Sequence, residues 1–118
     1  MKRIMLKTKI HRATVTETNI NYEGSLTLDE MLMKEAGMFS FEQVHVYNIS
    51  NGERFVTYVI KGEKDSGVVG INGAAAHKAR KGDKLIIASY AMMDEEEIEF
   101  FMPKIVIVDK KNRIKSVE

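Results

Sequence analysis

The chain has 118 residues, with eighteen Lys and Arg against seventeen Asp and Glu and a formal charge of +1. That length suits one domain spanning 1–118 with a real core but no cleft between two domains, so a deep site is expected between subunits. Near-neutrality removes any general attraction to nucleic acid or anionic membranes, and the absence of Cys removes disulfides and thiol catalysis. A hydrophobic share of 44% with a single proline, Pro103, marks a chain that folds.

Met1-Lys2-Arg3-Ile4-Met5-Leu6-Lys7 alternates instead of entering a continuous apolar run, so neither a signal peptide nor a membrane span is expected and a cytoplasmic location is the default. Ile4, Leu6 and Thr8 fall on one parity and Met5, Lys7, Lys9 and His11 on the other, the period of a strand. Thr27-Leu28-Asp29-Glu30 fits a capping box and predicts a helix through Ala36, ended by Gly37. Gln43 to Ile49 and Arg54 to Lys61 predict a hairpin around Asn51-Gly52, a pair that readily takes positive φ. Val68 to Ile71, Lys84 to Met92 and Lys104 to Val108 predict further strands, with Arg80-Lys81-Gly82-Asp83 as a turn. The acid run Asp94-Glu95-Glu96-Glu97 is expected as a hydrated loop, not a metal site, and the charged tail from Asp109 is expected to fray. Many short strands and few helices predict a mainly β fold, a closed or nearly closed barrel.

The chemistry centres on Gly24-Ser25. A serine beside a glycine whose carbonyl lies open in a strained backbone can attack that carbonyl in an N-to-O acyl shift. The resulting ester can eliminate to a dehydroalanine and hydrolyse to a pyruvoyl group, an electron sink made from the chain itself. The same dipeptide also reads as a polar turn. On one strand face Arg54 and Tyr58 can reach a common pocket while Thr57 points the other way; Arg54 offers a fork for a carboxylate and Tyr58 a phenolic proton. A surface ion pair and a half-buried aromatic are the plain alternatives. Lys9 and His11 share a face of the first strand. Asn72-Gly73-Ala74-Ala75-Ala76-His77 can expose backbone N–H groups to an anion or simply turn into a small Ala-rich helix.

In order along the chain, Lys9-Ile10-His11-Arg12, Tyr22-Glu23-Gly24-Ser25, Asn51 to Tyr58 and Asn72 to His77 together closely resemble the pyruvoyl-dependent aspartate 1-decarboxylase family. The similarity continues through Gly82-Asp83 and Ile86-Ile87-Ala88-Ser89. The resemblance implies a double-psi β-barrel assembled as a homotetramer with active sites between subunits. It implies autocatalytic cleavage of a zymogen into a β chain, 1–24, and an α chain, 25–118, in which Ser25 has become a covalently bound pyruvoyl group. Neither pyridoxal phosphate nor a metal is implied.

The implied reaction is decarboxylation of L-aspartate to β-alanine and CO₂ through a Schiff base, feeding pantothenate and coenzyme A biosynthesis. By the same resemblance Tyr58 is the proton donor, and Thr57 stabilises the Gly24 oxyanion during self-processing and lies against substrate. Lys9 and Arg54 bind carboxylates, and Asn72, Gly73, Ala74 and Ala75 position the substrate. His11 and Tyr22 line the same region as secondary candidates. Because an ion pair on the departing carboxylate opposes CO₂ formation, Arg54 is expected on the retained side-chain carboxylate. A maturation factor is left open. The rival readings are a noncatalytic barrel that binds a partner, and a pyruvoyl enzyme acting on another amino acid.

Overall fold

Alternating apolar and polar residues commit most of the chain to strands, and the computed structural model describes all of residues 1–118. The elements run β1 (Lys2–Thr14), β2 (Glu17–Asn19), β3 (Ser25–Asp29), α1 (Glu30–Ala36), β4 (Gln43–Asn48), β5 (Arg54–Gly62) and β6 (Val69–Asn72). A short 3₁₀ helix (Gly73–His77) follows, then β7 (Lys84–Asp94), α2 (Glu95–Ile98), β8 (Lys104–Val108) and β9 (Ile114–Val117). Nine strands form one sheet in the order β2-β6-β3-β5-β4-β7-β1-β8-β9. Two neighbouring pairs besides β2–β6 are parallel, β3 with β5 and β1 with β8, and the others are antiparallel. Beyond β1, Thr16 N donates to Val69 O while Val69 N donates back to Thr16 Oγ1, tying the end of β1 to β6. This mostly β architecture is compatible with the double-psi β-barrel.

Burial follows strand parity. Val44 and Val46 of β4, Val59 of β5, Leu26 and Leu28 of β3, Ile71 of β6 and Leu85 and Ile87 of β7 are buried together in the core. Leu32, Met33 and Ala36 of α1 close over the same interior. Removing that much apolar area from water is the main force holding the strands in register, because a slip by one residue would turn each inward side chain outward.

The expected hairpin forms: β4 and β5 pair from Gln43↔Tyr58 to Tyr47↔Arg54, and Gly52 takes φ 79 in the turn. Three local expectations are corrected. The helix starts later than the Thr27 capping box suggests, because Thr27 and Leu28 are held in β3 by pairing with Gly70 and Val69 on one side and Ile60 and Lys61 on the other. Asp29 is the cap, accepting from Met31 N, and Gly37 ends the helix at φ 68. The acid run is helical, not a loop, since the Asp94 and Glu97 side chains cap α2 reciprocally. The tail does not fray. Asn112 is buried, accepts from Thr14 N, and donates to the carbonyls of Thr14 and Gly67, so the turn before β9 is bolted to the barrel. In β1 the simple parity breaks at bulges between Leu6 and Thr8 and between His11 and Ala13, where Arg12 takes φ 69. No helix is long and apolar enough to cross a membrane.

Candidate active site

Ser25 opens β3 directly opposite Asn72 at the end of β6. Its side chain is 1% exposed, and its Oγ accepts a hydrogen bond of 3.1 Å from Asn72 Nδ2 while facing the Glu23 carbonyl at 3.4 Å. The second Asn72 N–H goes to Thr27 Oγ1 at 2.9 Å, so both amide hydrogens are used and the amide plane is fixed between two hydroxyls. Thr27 lies two residues after Ser25 on the same strand and therefore on the same face.

Gly73 follows Asn72 with φ 67, and a Cβ placed there would lie 2.7 Å from Gly24 Cα, 2.8 Å from Gly24 N and 3.0 Å from the Tyr22 carbonyl oxygen. Only glycine lets the β6 terminus press on the Gly24 backbone in this way. The strained glycine is thus Gly73. Gly24 itself is outside the positive-φ region and a Cβ on it would meet nothing within 4 Å, which corrects the expectation of strain at Gly24. Ala74 and Ala75 lie in the 3₁₀ helix, the small-helix alternative for this segment, and Ala75 packs against the core. Tyr22 is half exposed beside this cluster, with its carbonyl against Gly73.

Of the remaining candidates, Lys9, His11, Arg54 and Tyr58 lie on the outer face of the sheet. Leu26 and Val59 pair in register and both point inward, so Ser25 and Tyr58, one residue earlier on each strand, share the opposite face, which is covered at Ser25 and open at Tyr58. Tyr58 is 36% exposed with its ring 6.2 Å from that of Phe41. Thr57 is half buried on the inner parity, opposite Val44; within one chain Asn72, and not Thr57, contacts the Ser25 hydroxyl. Pairing runs His11↔Ile86↔Tyr47↔Arg54 across β1, β7, β4 and β5, with Lys9↔Ala88↔His45↔Val56 beside it. Lys9, His11 and Arg54 therefore share one surface. The four ion pairs of the chain join Arg3–Glu95, Lys7–Glu42, Lys61–Glu30 and Lys78–Glu53, leaving Lys9 and Arg54 out.

Sequence reasoning missed Thr27, Tyr47 and Tyr90. Thr27 was within reach of a parity count from Ser25. Tyr47 was legible only as to its face, because a two-residue turn at Asn51-Gly52 would set Ile49 opposite Arg54, whereas the observed pairing is Tyr47↔Arg54. Tyr90 was not, since its approach to Tyr47 depends on the β4–β7 pairing.

His11 stands apart electrostatically. Partial burial first, then the neighbouring Lys9 and Arg12 cations, hold its imidazole below the ordinary pKa of 6.5. It is therefore neutral near pH 7 and protonates only as the pH falls below 6.5. A histidine depressed on folding binds fewer protons than in the unfolded chain, so its contribution is neutral above 6.5 and destabilising as the pH drops below it. Proton NMR titration is expected to place His11 below 6.5, and Lys9→Met is expected to raise it toward that value; a His11 titrating above 6.5 would contradict the assignment.

The largest hollow along α1, about 520 Å³, is lined by Glu30, Met33, Lys34, Phe39, Lys61 and Lys64 among others and includes none of the candidate residues. Another, about 230 Å³, is lined by Ile4, Gln43, His45, Tyr90, Ala91 and Met92. Neither joins Ser25 to Arg54 and Tyr58, whose surface is open in a single chain.

A model of the aspartate decarboxylase family matches residues 1–115. The chain belongs to that family. The aspartate 1-decarboxylase of Cupriavidus necator is 52% identical over 118 residues, covering 100% of this chain and 98% of that protein. That of Syntrophus aciditrophicus is 54% identical over 115 residues, with 98% and 99% covered. That of Caldicellulosiruptor saccharolyticus is 58% identical over 110 residues, with 93% and 86% covered. Membership at this level over the full chain makes the protein an enzyme of the aspartate 1-decarboxylase type.

Proposed function

We propose that this chain cuts itself between Gly24 and Ser25 and that the mature form converts L-aspartate to β-alanine and CO₂. The observation that carries this reading is the cradle around one peptide bond: Gly73 pressed on the Gly24 backbone and Asn72 bonded to Ser25 Oγ. A surface turn has no need of a buried hydroxyl held by a buried amide.

In maturation Ser25 Oγ attacks the Gly24 carbonyl carbon, the peptide C–N bond breaks, and an ester forms beside a free amine. β-Elimination expels the Gly24 carboxylate and leaves a dehydroalanine. Water then displaces the nitrogen as ammonia and leaves the ketone of a pyruvoyl group. Asn72 donates to the oxygen that becomes the ester and then the leaving carboxylate, which favours the negative charge growing there. Thr57 is assigned to the Gly24 carbonyl oxygen during the first step.

The residues at the junction fit such a group, because Ser25 is buried and its neighbour is packed by a glycine that a larger residue could not replace. When formed, the group supplies an electron sink for the pair released as CO₂ leaves. The protein does the rest. Arg54 holds the retained side-chain carboxylate in a bidentate grip, Lys9 provides the second cation, and Tyr58 delivers a proton to the carbon that has lost CO₂. Asn72, with the backbone of Gly73, Ala74 and Ala75, positions the substrate, while Tyr22 and His11 line the approach. Neutral His11 adds no third positive charge to that surface.

Lys9, Arg54 and Tyr58 lie on an open face, and Phe39, Phe41, Phe100 and Met102 are strongly exposed. Both features support a homotetramer in which a neighbouring subunit covers the site. The product would enter pantothenate synthesis in the cytoplasm.

Intact mass under denaturing conditions, before and after prolonged warming, tests the reading together with CO₂ release from a panel of amino acids. Fragments 1–24 and 25–118, a pyruvoyl terminus and release from L-aspartate are expected. A chain that stays whole and releases no CO₂ would overturn autonomous self-cleavage and leave dependence on a maturation factor or a noncatalytic barrel, and cleavage with release from a different amino acid would overturn the substrate.

A further inference from the structure

We propose that Tyr90 is a positioning residue for aspartate binding, acting through Tyr47 to set the plane of the Arg54 guanidinium. The inference rests on the reading of Arg54 as the carboxylate clamp and extends it to the two tyrosines behind Arg54.

The geometry is a relay across three strands. The Arg54 guanidinium lies 4.5 Å from the centre of the Tyr47 ring. Face contact of this kind leaves the N–H edge of the fork free, so the ring orients the donors without occupying them. Strand pairing alone does not fix the ring, because a half-exposed tyrosine can turn about its side-chain bonds. What fixes it is the far end, where Tyr47 Oη and Tyr90 Oη are 2.6 Å apart. Tyr90 is braced in turn by His45, whose ring meets it edge-on at 5.0 Å. His45 and Tyr47 stand on β4, Tyr90 on β7 and Arg54 on β5, so the register that builds the sheet also assembles the relay.

The hydroxyl pair survives ordinary pH. Its hydrogen bond to Tyr47 and then burial push Tyr90 up to about 12, with Arg54 pulling weakly the other way. Tyr90 therefore stays neutral where aspartate is turned over, and the hydroxyl contact stays intact. A carboxylate held in two parallel bonds is sensitive to the tilt of the guanidinium, so a loosened ring should weaken aspartate binding more than it slows chemistry.

The experiment uses mature, fully cleaved enzyme carrying Tyr90→Phe, Tyr47→Phe, both, or Arg54→Lys. Both Phe variants keep the ring and lose one hydroxyl. Loss of one such hydrogen bond is expected to raise KM for L-aspartate roughly three- to tenfold with kcat changed by less than about twofold. Inhibition by succinate, a dicarboxylate without the reacting amine, should weaken by a similar factor. The double variant should be no worse than the poorer single one, because either change removes the same bond. If Arg54→Lys raises KM and Tyr90→Phe does not, the relay is wrong and the clamp stands. If Arg54→Lys also leaves KM and succinate inhibition unchanged, the clamp itself is wrong. A Tyr90→Phe enzyme that loses kcat and melting temperature together at constant KM would show a merely structural tyrosine and overturn the proposal.

Discussion

Ser25→Ala is expected to remain a single uncleaved chain of 13.4 kDa after prolonged warming and to release no CO₂ from L-aspartate. The substitution removes the only atom that can attack the Gly24 carbonyl in the proposed maturation and the atom from which the ketone would be made. Folding should survive it. The lost hydroxyl accepts one hydrogen bond from Asn72, whose amide keeps its second bond to Thr27 but is left with one buried N–H unpaired, so the cost is about 1–3 kcal/mol. Gel filtration should therefore match the parent precursor and thermal unfolding should stay cooperative with a midpoint lowered by roughly 3–10 °C, while mass and activity change outright. Cleavage before residue 25 in this variant would show that the serine hydroxyl is not the nucleophile.

Gly73→Ala carries the second large effect. At φ 67 an L-residue pays about 1–2 kcal/mol for the left-handed backbone alone. The added methyl would also sit 2.7 Å from Gly24 Cα and 2.8 Å from Gly24 N, distances that backbone atoms cannot accept without moving. The β6 terminus must then back away from Gly24, and Asn72, one residue earlier and opposite Ser25, moves with it. Maturation is expected to slow by at least tenfold, equivalent to about 1.4 kcal/mol on the barrier. Mass-resolved cleavage time courses read this directly. Gly24→Ala is the useful contrast: its methyl meets nothing within 4 Å, so any loss of cleavage there reports on the chemistry at the carbonyl and not on packing. Normal cleavage in Gly73→Ala would show that contact between β6 and Gly24 is irrelevant to maturation.

These two glycines illustrate how far residue patterns reach. A glycine beside a serine drew the conformational argument to Gly24, yet the close approach belongs to Gly73, because crowding is a property of what packs against a residue. The hairpin was legible because its turn and its alternation are local and agree on its faces, although the observed pairing, Tyr47↔Arg54, is two residues off the register of a two-residue Asn51-Gly52 turn. The start of α1 was misplaced because Thr27 has a capping side chain in sequence but ladder partners on both sides in space. The tail looked solvated because Lys110, Lys111, Arg113 and Lys115 dominate it, whereas one buried amide, Asn112, decides its place.

The sequence by itself determined a mainly β domain, the β4–β5 hairpin, the opposed faces of Thr57 and Tyr58, and the family through motifs spread over the whole chain. Those properties depend on period, turn chemistry and residue identity, all of which are local or additive along the chain. Only the tertiary structure decided that Asn72 meets Ser25, that Gly73 bears on Gly24, and that Tyr90 reaches Arg54 through Tyr47. Asn72 with Ser25, Gly73 with Gly24 and Tyr90 with Tyr47 each join segments distant in sequence. Which distant strands become neighbours is set by burying all the inward faces at once, a condition that no short segment contains.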